Sequence, residues 1–171
     1  MLRVRDGHIS NVGEVDHPSL PRKDSVTKAS VVLRQYFERI NDVELFLVLF
    51  AGDGVFEFPH LRTVGLPTWC EGKDAIRSLL QKVQGNVSPF TFKNVVIYEL
   101  VDPYQVFGEY DSEAVIKATG RLYFQKYSRR MVVDEHGKIK LMREFLEIIA
   151  NARVMFPTGP SDIPSADEVS S

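Results

Sequence analysis

The chain has 171 residues, 44% of them hydrophobic, and its 21 basic and 23 acidic residues give a net charge of −2. This length is typical of one domain, and the apolar content is sufficient for a hydrophobic core. The balanced charge argues against a nucleic-acid-binding protein, because such proteins usually carry a basic patch or an excess of basic residues. The single cysteine, Cys70, excludes an internal disulfide and is typical of a reducing compartment.

The N-terminal segment MLRVRDGHIS lacks the apolar core of a signal peptide. The longest apolar stretch, VELFLVLFAG, is too short to span a membrane. We therefore expect a cytoplasmic protein with neither a membrane nor a nucleic-acid partner. Composition divides the chain into an irregular N-terminal arm over residues 1–23, a folded domain over 24–156, and a flexible tail over 157–171 that is rich in Pro, Ser and Asp.

Three helices are predicted in the first half of the domain. Asp24 and Ser25 are good N-cap residues for the first, DSVTKASVVLRQYFERI. Asn41-Asp42 separates it from the second, VELFLVLFA, which Gly52 should end. The third is EGKDAIRSLLQKV. Apolar residues repeat at helical spacing in the first helix (Val26, Ala29, Leu33, Tyr36, Phe37, Ile40) and in the third (Ile76, Leu79, Leu80, Val83).

Strand patterns dominate the second half of the domain. VFEF (55–58) is a short candidate; the longer ones are FTFKNVVIYEL (90–100), YQVFGEYDSEAVIKATG (104–120) and RLYFQKYSRRMVV (121–133). Turn residues separate them, and DEHG (134–137) forms another turn. Consecutive strands joined by short turns predict an antiparallel meander, and helices followed by strands predict an α+β domain.

The segment HGKIKLMREFLEII places one acid, Glu144, among apolar residues. Periodicity alone leaves its structure open, since Leu141, Phe145, Ile148, Ile149 and Ala152 would also form a helical face. As a strand, the segment places Met142, Glu144, Leu146 and Ile148 on one face. Glu144 would then be either an acid in an apolar pocket or the partner of an arginine such as Arg143 or Arg121 in a structural ion pair.

Motifs for nucleotides and metals are missing from the sequence. There is no P-loop, GxGxxG, HExxH or paired CxxC, and the four histidines (8, 17, 60 and 136) lack a metal-ligand spacing. We predict neither a cofactor nor a metal.

Two motifs carry a resemblance to a known family: GKDAI, which opens the third helix, and DEHGKIKLMREFLE near the end. With helices first and a meander after them, the chain resembles the NTF2-like superfamily and, within it, the SnoaL-like branch. The segment GKIKLMREFLEIIANAR is similar to the closing strand of the PhzA/PhzB-type proteins of phenazine biosynthesis. The resemblance covers roughly residues 27–156 and favours a strand for the last segment.

The resemblance implies an α+β cone, in which three N-terminal helices pack on a strongly curved antiparallel sheet and close a deep apolar pocket. Such proteins bind or transform small, often aromatic or polyketide-like molecules without a cofactor, and many dimerise through the outer sheet face. Glu144 matches the pocket glutamate of the PhzA/PhzB-type proteins, and Asp53 matches an aspartate that faces the pocket in many relatives. Leu79 stands where the phenazine proteins have a pocket histidine, which argues against their specific reaction.

The implied fold brings further side chains to the pocket as candidates for binding: His60 near the mouth, Trp69 on the wall or rim, Tyr110 and Tyr123 on the long strands, and Met142 and Leu146 beside Glu144. For the two tyrosines plain packing is an alternative, and a lone histidine is more often structural. Asp53, between two glycines, is also typical of a turn.

We expect a cofactor-free enzyme of secondary metabolism, of isomerase, polyketide-cyclase-like, dehydratase or hydrolase type, acting on a small hydrophobic or aromatic ligand. Glu144 would shuttle the proton, and Asp53 would orient a water or share the proton. The alternative is a non-catalytic module that binds a small molecule or dimerises. We also expect a homodimer, because an outer sheet face with residues such as Val106, Tyr127 or Met131 would otherwise expose an apolar patch. A bulge near Asp111-Ser112 would change which of these residues face outward.

Overall fold

The computed structural model describes residues 28–155, which form four α-helices, one short 3-10 helix and six strands. The helices are α1 (Ala29–Arg39), α2 (Val43–Leu47), α3 (Lys73–Asn86) and α4 (Ile148–Met155), and the 3-10 helix spans Leu61–Val64. The strands are β1 (Phe50–Glu57), β2 (Trp69–Glu71), β3 (Thr91–Glu99), β4 (Gln105–Val115), β5 (Leu122–Val133) and β6 (Ile139–Leu146). The predicted arm, the tail and the caps Asp24 and Ser25 lie outside the described residues.

The six strands form one curved, unclosed sheet in the order β2-β1-β6-β5-β4-β3. The predicted antiparallel meander is confirmed for β3 to β6, whose neighbouring strands pair antiparallel. β1, however, pairs with β6 in parallel. The prediction of a purely antiparallel sheet is therefore wrong, because a strand that precedes the meander joins the open side of its last strand.

The second helix is much shorter than predicted. Asp42 caps it as expected, since its side chain accepts a hydrogen bond from the Leu45 backbone N–H at 3.0 Å. Yet α2 ends at Leu47, and Gly52 lies within β1. Backbone pairing explains the difference: the Ile139 N–H donates to the Leu49 carbonyl at 2.8 Å, at the point where β6 begins to pair with β1.

The last segment contains both structures that its pattern allowed. Residues 139–146 form β6, which confirms the strand, and Ile148 begins α4 instead of extending the strand. The described residues thus have four helices, and one of them follows the sheet, whereas we predicted three helices that all precede it.

The inner face of the sheet packs against α1 and α3, and the main core lies between them. Gly108 of β4 allows α1 to approach closely, because a Cβ there would lie 2.8 Å from Cδ2 of Leu33. Val106 and Met131 are fully buried in this core, and Tyr127 packs against it. None of the three candidates for an apolar outer face therefore lies on that face, and the homodimer stays a prediction. No helix within residues 28–155 is long and apolar enough to cross a membrane.

Candidate functional site

An apolar cavity of about 640 Å³ lies between α3 and the inner face of the sheet. Phenylalanines form much of its wall, and α3 contributes Leu79, Leu80 and Val83. The tyrosines Tyr36, Tyr123 and Tyr127 and a few other polar residues complete the lining. A cavity with these walls suits a small molecule with a large apolar surface.

Glu144 is the only acidic residue in the lining of this cavity among the described residues. It lies on β6 between Met142, which is fully buried, and Leu146, which also lines the cavity. Strand alternation places all three on the inner face, as the sequence predicted for the segment. Glu144 as a whole is only 6% exposed, so it lies in the part of the cavity farthest from solvent, which we call its closed end.

Arg129 lies directly opposite Glu144 in the pairing of β5 with β6. Its side chain is fully buried, and its Nη2 forms an ion pair with Oε2 of Glu144. The hydroxyl of Tyr110 donates to the same oxygen at 3.0 Å. Removing two opposite charges from water together costs less than removing either one alone, so each of these two side chains permits the burial of the other.

Aromatic rings surround the guanidinium of Arg129. The ring centroid of Tyr36 lies 3.7 Å from Cζ, and Nη2 donates to the Tyr36 hydroxyl at 2.8 Å. The ring centroids of Tyr110 and Phe56 lie 5.3 and 5.7 Å, respectively, from the same Cζ atom. Within the described residues Nε and Nη1 have no hydrogen-bond partner, and the ring faces provide electrostatic stabilisation to this buried cation.

Tyrosine hydroxyls provide the hydrogen-bond donors of the site. Burial raises the pKa of Tyr110 well above its usual value, against the opposing effect of Arg129. Burial likewise raises the pKa of Tyr127 and of Tyr123, whose hydroxyls lie 3.4 Å apart. All three phenols therefore keep their protons at neutral pH and can donate hydrogen bonds.

A family model decides what this fold is. The model described as the SnoaL-like domain matches residues 33–142, which is more than half of the chain. The chain belongs to the SnoaL-like family. This confirms the resemblance on which the cone, the pocket and the final strand were predicted.

Solved structures share the fold of this SnoaL-like chain. A proposed isomerase from Bacillus subtilis is 23% identical, with a TM-score of 0.68 over 74% of this chain and 91% of its own. A phenazine biosynthesis-related protein from Pseudomonas aeruginosa is 22% identical, with a TM-score of 0.62 over 80% and 96%. An LEH-like epoxide hydrolase from M. tuberculosis is 20% identical, with a TM-score of 0.57 over 72% and 85%. The comparison with curated proteins found no match.

Asp53 lies outside the cavity, so the expectation that it shares a proton with Glu144 is wrong. Its side chain is 67% exposed and forms an ion pair with Lys140. The hydrogen bond from Lys140 lowers the pKa of this carboxyl group. The second helix ends earlier than predicted, so Asp53 does not directly follow it but lies in the middle of β1.

Two further candidates do not line the cavity. Trp69 is 54% exposed, and its Nε1 donates to Glu71 at 3.4 Å, while its neighbour Cys70 lines the cavity instead. His60 is exposed, and its ring lies 5.3 Å from that of Phe145, in a separate shallow groove.

The remaining candidates lie at or behind the cavity wall. Tyr123 and Leu146 line it, Tyr110 lies behind it and reaches Glu144, and Met142 belongs to the core. Within residues 28–155 no group of three or more His, Cys, Asp or Glu side chains is arranged to hold a metal ion.

Arg129 is the site residue that sequence reasoning missed. The proposed partners Arg143 and Arg121 do not bind Glu144; Arg143 faces outward and pairs with Glu57. Arg129 and Arg130 are neighbours in a strand, so alternation places one of them on the inner face. Because Met131 and Val133 are the apolar phase of that strand, the sequence contained the signal for Arg129.

Proposed function

We propose that this SnoaL-like protein is a cofactor-independent enzyme that moves a proton on a small apolar or aromatic molecule held in the cavity. One observation carries this proposal: Glu144, the single carboxylate that residues 28–155 place in the cavity lining, lies at its closed end against an apolar wall. Isomerisation, cyclisation, dehydration and epoxide opening all need a positioned acid or base more than an electron acceptor. The proteins with similar structures include a proposed isomerase and an epoxide hydrolase, which supports this class of reaction.

Glu144 acts as the proton acceptor in this proposal. The adjacent charge of Arg129 favours the ionised carboxylate over the protonated acid. Both the ion pair and the Tyr110 hydrogen bond use Oε2. Oε1 accepts no hydrogen bond from a described residue, so it is the oxygen available to take a proton from the substrate.

The cavity tyrosines complement this base. Abstraction of a proton next to a carbonyl group, or opening of an epoxide, develops negative charge on oxygen. Tyr123 and Tyr127 line the cavity and keep their hydroxyl protons because burial raises the pKa of each. We propose that one of these hydroxyls donates to the oxygen on which charge develops.

Deuterium exchange tests the proposal before the substrate is known. A panel of apolar ketones and epoxides is incubated with the protein in deuterated buffer, and mass spectrometry measures deuterium uptake or conversion. Glu144→Asp keeps the charge that Arg129 needs but withdraws the carboxylate by about one carbon–carbon bond. We expect the rate to fall about 10²–10⁴-fold, the usual contribution of a positioned general base, with a nearly unchanged melting temperature.

Glu57→Gln is the matched control, because Glu57 forms an arginine pair on the opposite face of the sheet. It should leave the exchange rate unchanged. Exchange that survives in Glu144→Asp would contradict the role of Glu144. Tight binding of panel compounds without exchange or conversion would favour the alternative function, a module that binds a small molecule and does not transform it.

A further inference from the structure

Lys82 is the only basic residue in the cavity lining among the described residues. It lies on α3 and is exposed, so it belongs to the solvent end of the cavity, whereas Glu144 belongs to the closed end. Most lysines of the described residues donate to a carboxylate or a carbonyl: Lys28, Lys93, Lys117, Lys126, Lys138 and Lys140. Lys82 forms no ion pair and no side-chain hydrogen bond with a described residue.

Helical spacing places Lys82 between two other polar residues at the cavity. Ser78 and Asn86 also line it, one turn before and one turn after Lys82. The end of α3 is fixed, since Gln84 Nε2 donates to the Ile40 carbonyl at 3.0 Å and Lys117 Nζ donates to the Gln84 carbonyl at 2.6 Å. A fixed helix thus places Lys82 and Asn86 at the mouth of the cavity.

The charge of Lys82 also acts on the cavity wall. Burial raises the pKa of the Cys70 thiol, and the positive charge of Lys82 partly opposes this rise. Cys70 lines the cavity on β2, across from α3. The ammonium group is therefore near enough to affect the cavity interior.

We propose that the ligand of this cavity is an apolar molecule with one anionic group, such as a carboxylate, which binds Lys82 at the mouth. Glu144 and Arg129 neutralise each other, so Lys82 supplies the one uncompensated charge of the lining in the described part of the chain. An anionic group would be attracted by Lys82 and would gain no such attraction at the closed end, where Arg129 balances the charge of Glu144. This difference favours one orientation, with the apolar body of the ligand toward the closed end. This inference rests on the proposed function only for the proton transfer by Glu144 at the closed end.

Two fluorescent probes with the same rings test the charge preference. 1-Anilinonaphthalene-8-sulfonate carries one negative charge, and N-phenyl-1-naphthylamine carries none. In Lys82→Met, which keeps an unbranched apolar side chain but removes the charge, we expect the Kd of the sulfonate to rise about tenfold, close to the lower limit for a hydrogen bond to a charged group. The Kd of the neutral probe should change less than twofold. Lys73→Met, on the same helix but outside the lining, should change neither.

Leu79→Trp places a large side chain in the cavity lining and should abolish binding there. The probe binding that this variant loses is taken as binding within the cavity, and only this binding is compared between variants. A sulfonate affinity for the cavity that Lys82→Met leaves unchanged, or an equal loss for both probes, would overturn the proposal. Because the measurement involves no turnover, that result would leave the role of Glu144 standing. Conversely, the protein could show the Lys82-dependent preference for the sulfonate and yet catalyse no proton exchange. That result would contradict the catalytic role of Glu144 and support the proposal about Lys82.

Discussion

Two arginine–glutamate pairs lie on opposite faces of the same sheet and use adjacent residues of β6. On the inner face Glu144 pairs with Arg129 of β5, and on the outer face Arg143 pairs with Glu57 of β1 at 2.6 Å. In both pairs the two residues are direct cross-strand neighbours. The two ion pairs thus have the same position relative to their strands, and they differ in the residues and solvent around them.

The surroundings decide what each pair can do. The inner arginine is fully buried under aromatic rings, and its glutamate lines the cavity. In the outer pair the side chains of Arg143 and Glu57 are 36% and 17% exposed, so water and salt can screen them. A cross-strand ion pair on this sheet is therefore structural on one face and a potential source of reactivity on the other.

The largest effect is expected from Arg129→Met. It leaves the Glu144 charge buried without a partner, which should lower the free energy of unfolding by about 3–5 kcal/mol. The double variant with Glu144→Leu removes both charges and should recover most of this loss, because apolar replacement of a buried pair is often neutral. Urea unfolding of the single and double variants measures both values. If the costs of the single changes simply added, the pair would not behave as a coupled unit.

A smaller effect is expected from Tyr110→Phe, which removes only the hydroxyl that donates to Glu144. Loss of a buried hydrogen bond to a charged group should lower the free energy of unfolding by about 1.5–3 kcal/mol. Tyr98→Phe is the matched control, since its hydroxyl donates to Glu109 at 3.0 Å on the exposed side of the sheet. Its cost should stay within about 0.5 kcal/mol, as for most surface changes. Equal costs in urea unfolding would remove the distinction between the two faces.

Breaking the outer pair should cost less still. Glu57→Gln removes one partner of Arg143 but leaves the guanidinium at the surface, so the free energy of unfolding should fall by at most about 1 kcal/mol. Higher ionic strength should reduce this difference, because salt screens exposed charges. The measurement is urea unfolding at low and high sodium chloride. A salt-independent loss as large as that of Arg129→Met would show that the outer pair is effectively buried.

The difference between the two faces was only partly predictable from the sequence. Alternation along β6 correctly places Glu144 inward once the segment is taken as a strand, a choice that the family resemblance favours and periodicity alone leaves open. The same rule applied to β5 shows that Arg129, in phase with Met131 and Val133, faces inward. It does not give the register between β5 and β6 that sets Arg129 opposite Glu144.

Asp53 and Trp69 were misplaced for a different reason. The run VELFLVLFA does not show where its helix ends. The helix stops at Leu47, and parallel pairing with β6, distant in sequence, makes Phe50 the first residue of β1. β2 has only three residues, too few for a periodic signal. Its pairing with β1 sets Cys70 opposite Phe56, both of which line the cavity, and this leaves Trp69 exposed.

The smallest effect is expected at a third ion pair, between Asp111 and Lys126 on the outer face. Here the dependence of stability on pH is the test. The carboxylate of Asp111 accepts hydrogen bonds from Asn94 Nδ2 at 2.7 Å and from Lys126 Nζ at 3.1 Å. These contacts, with Asn94 contributing most, lower the pKa of Asp111. A folded-state pKa below the unfolded value of about 3.9 means that the carboxylate stabilises the fold above this pH, and that its contribution disappears as the pH falls through the folded-state pKa.

Asp111→Asn should therefore melt at a lower temperature than the unmodified protein at pH 6, and the two melting temperatures should converge as the pH falls below about 4. Glu135→Gln, at a side chain that is 77% exposed, is the control and should show no such convergence. Melting temperatures measured at half-unit steps from pH 6 to pH 2.5 give the result. A difference that stays constant over this range would mean that Asp111 contributes through packing or hydrogen bonding alone. In that case its charge would play no part in the contrast between the two faces.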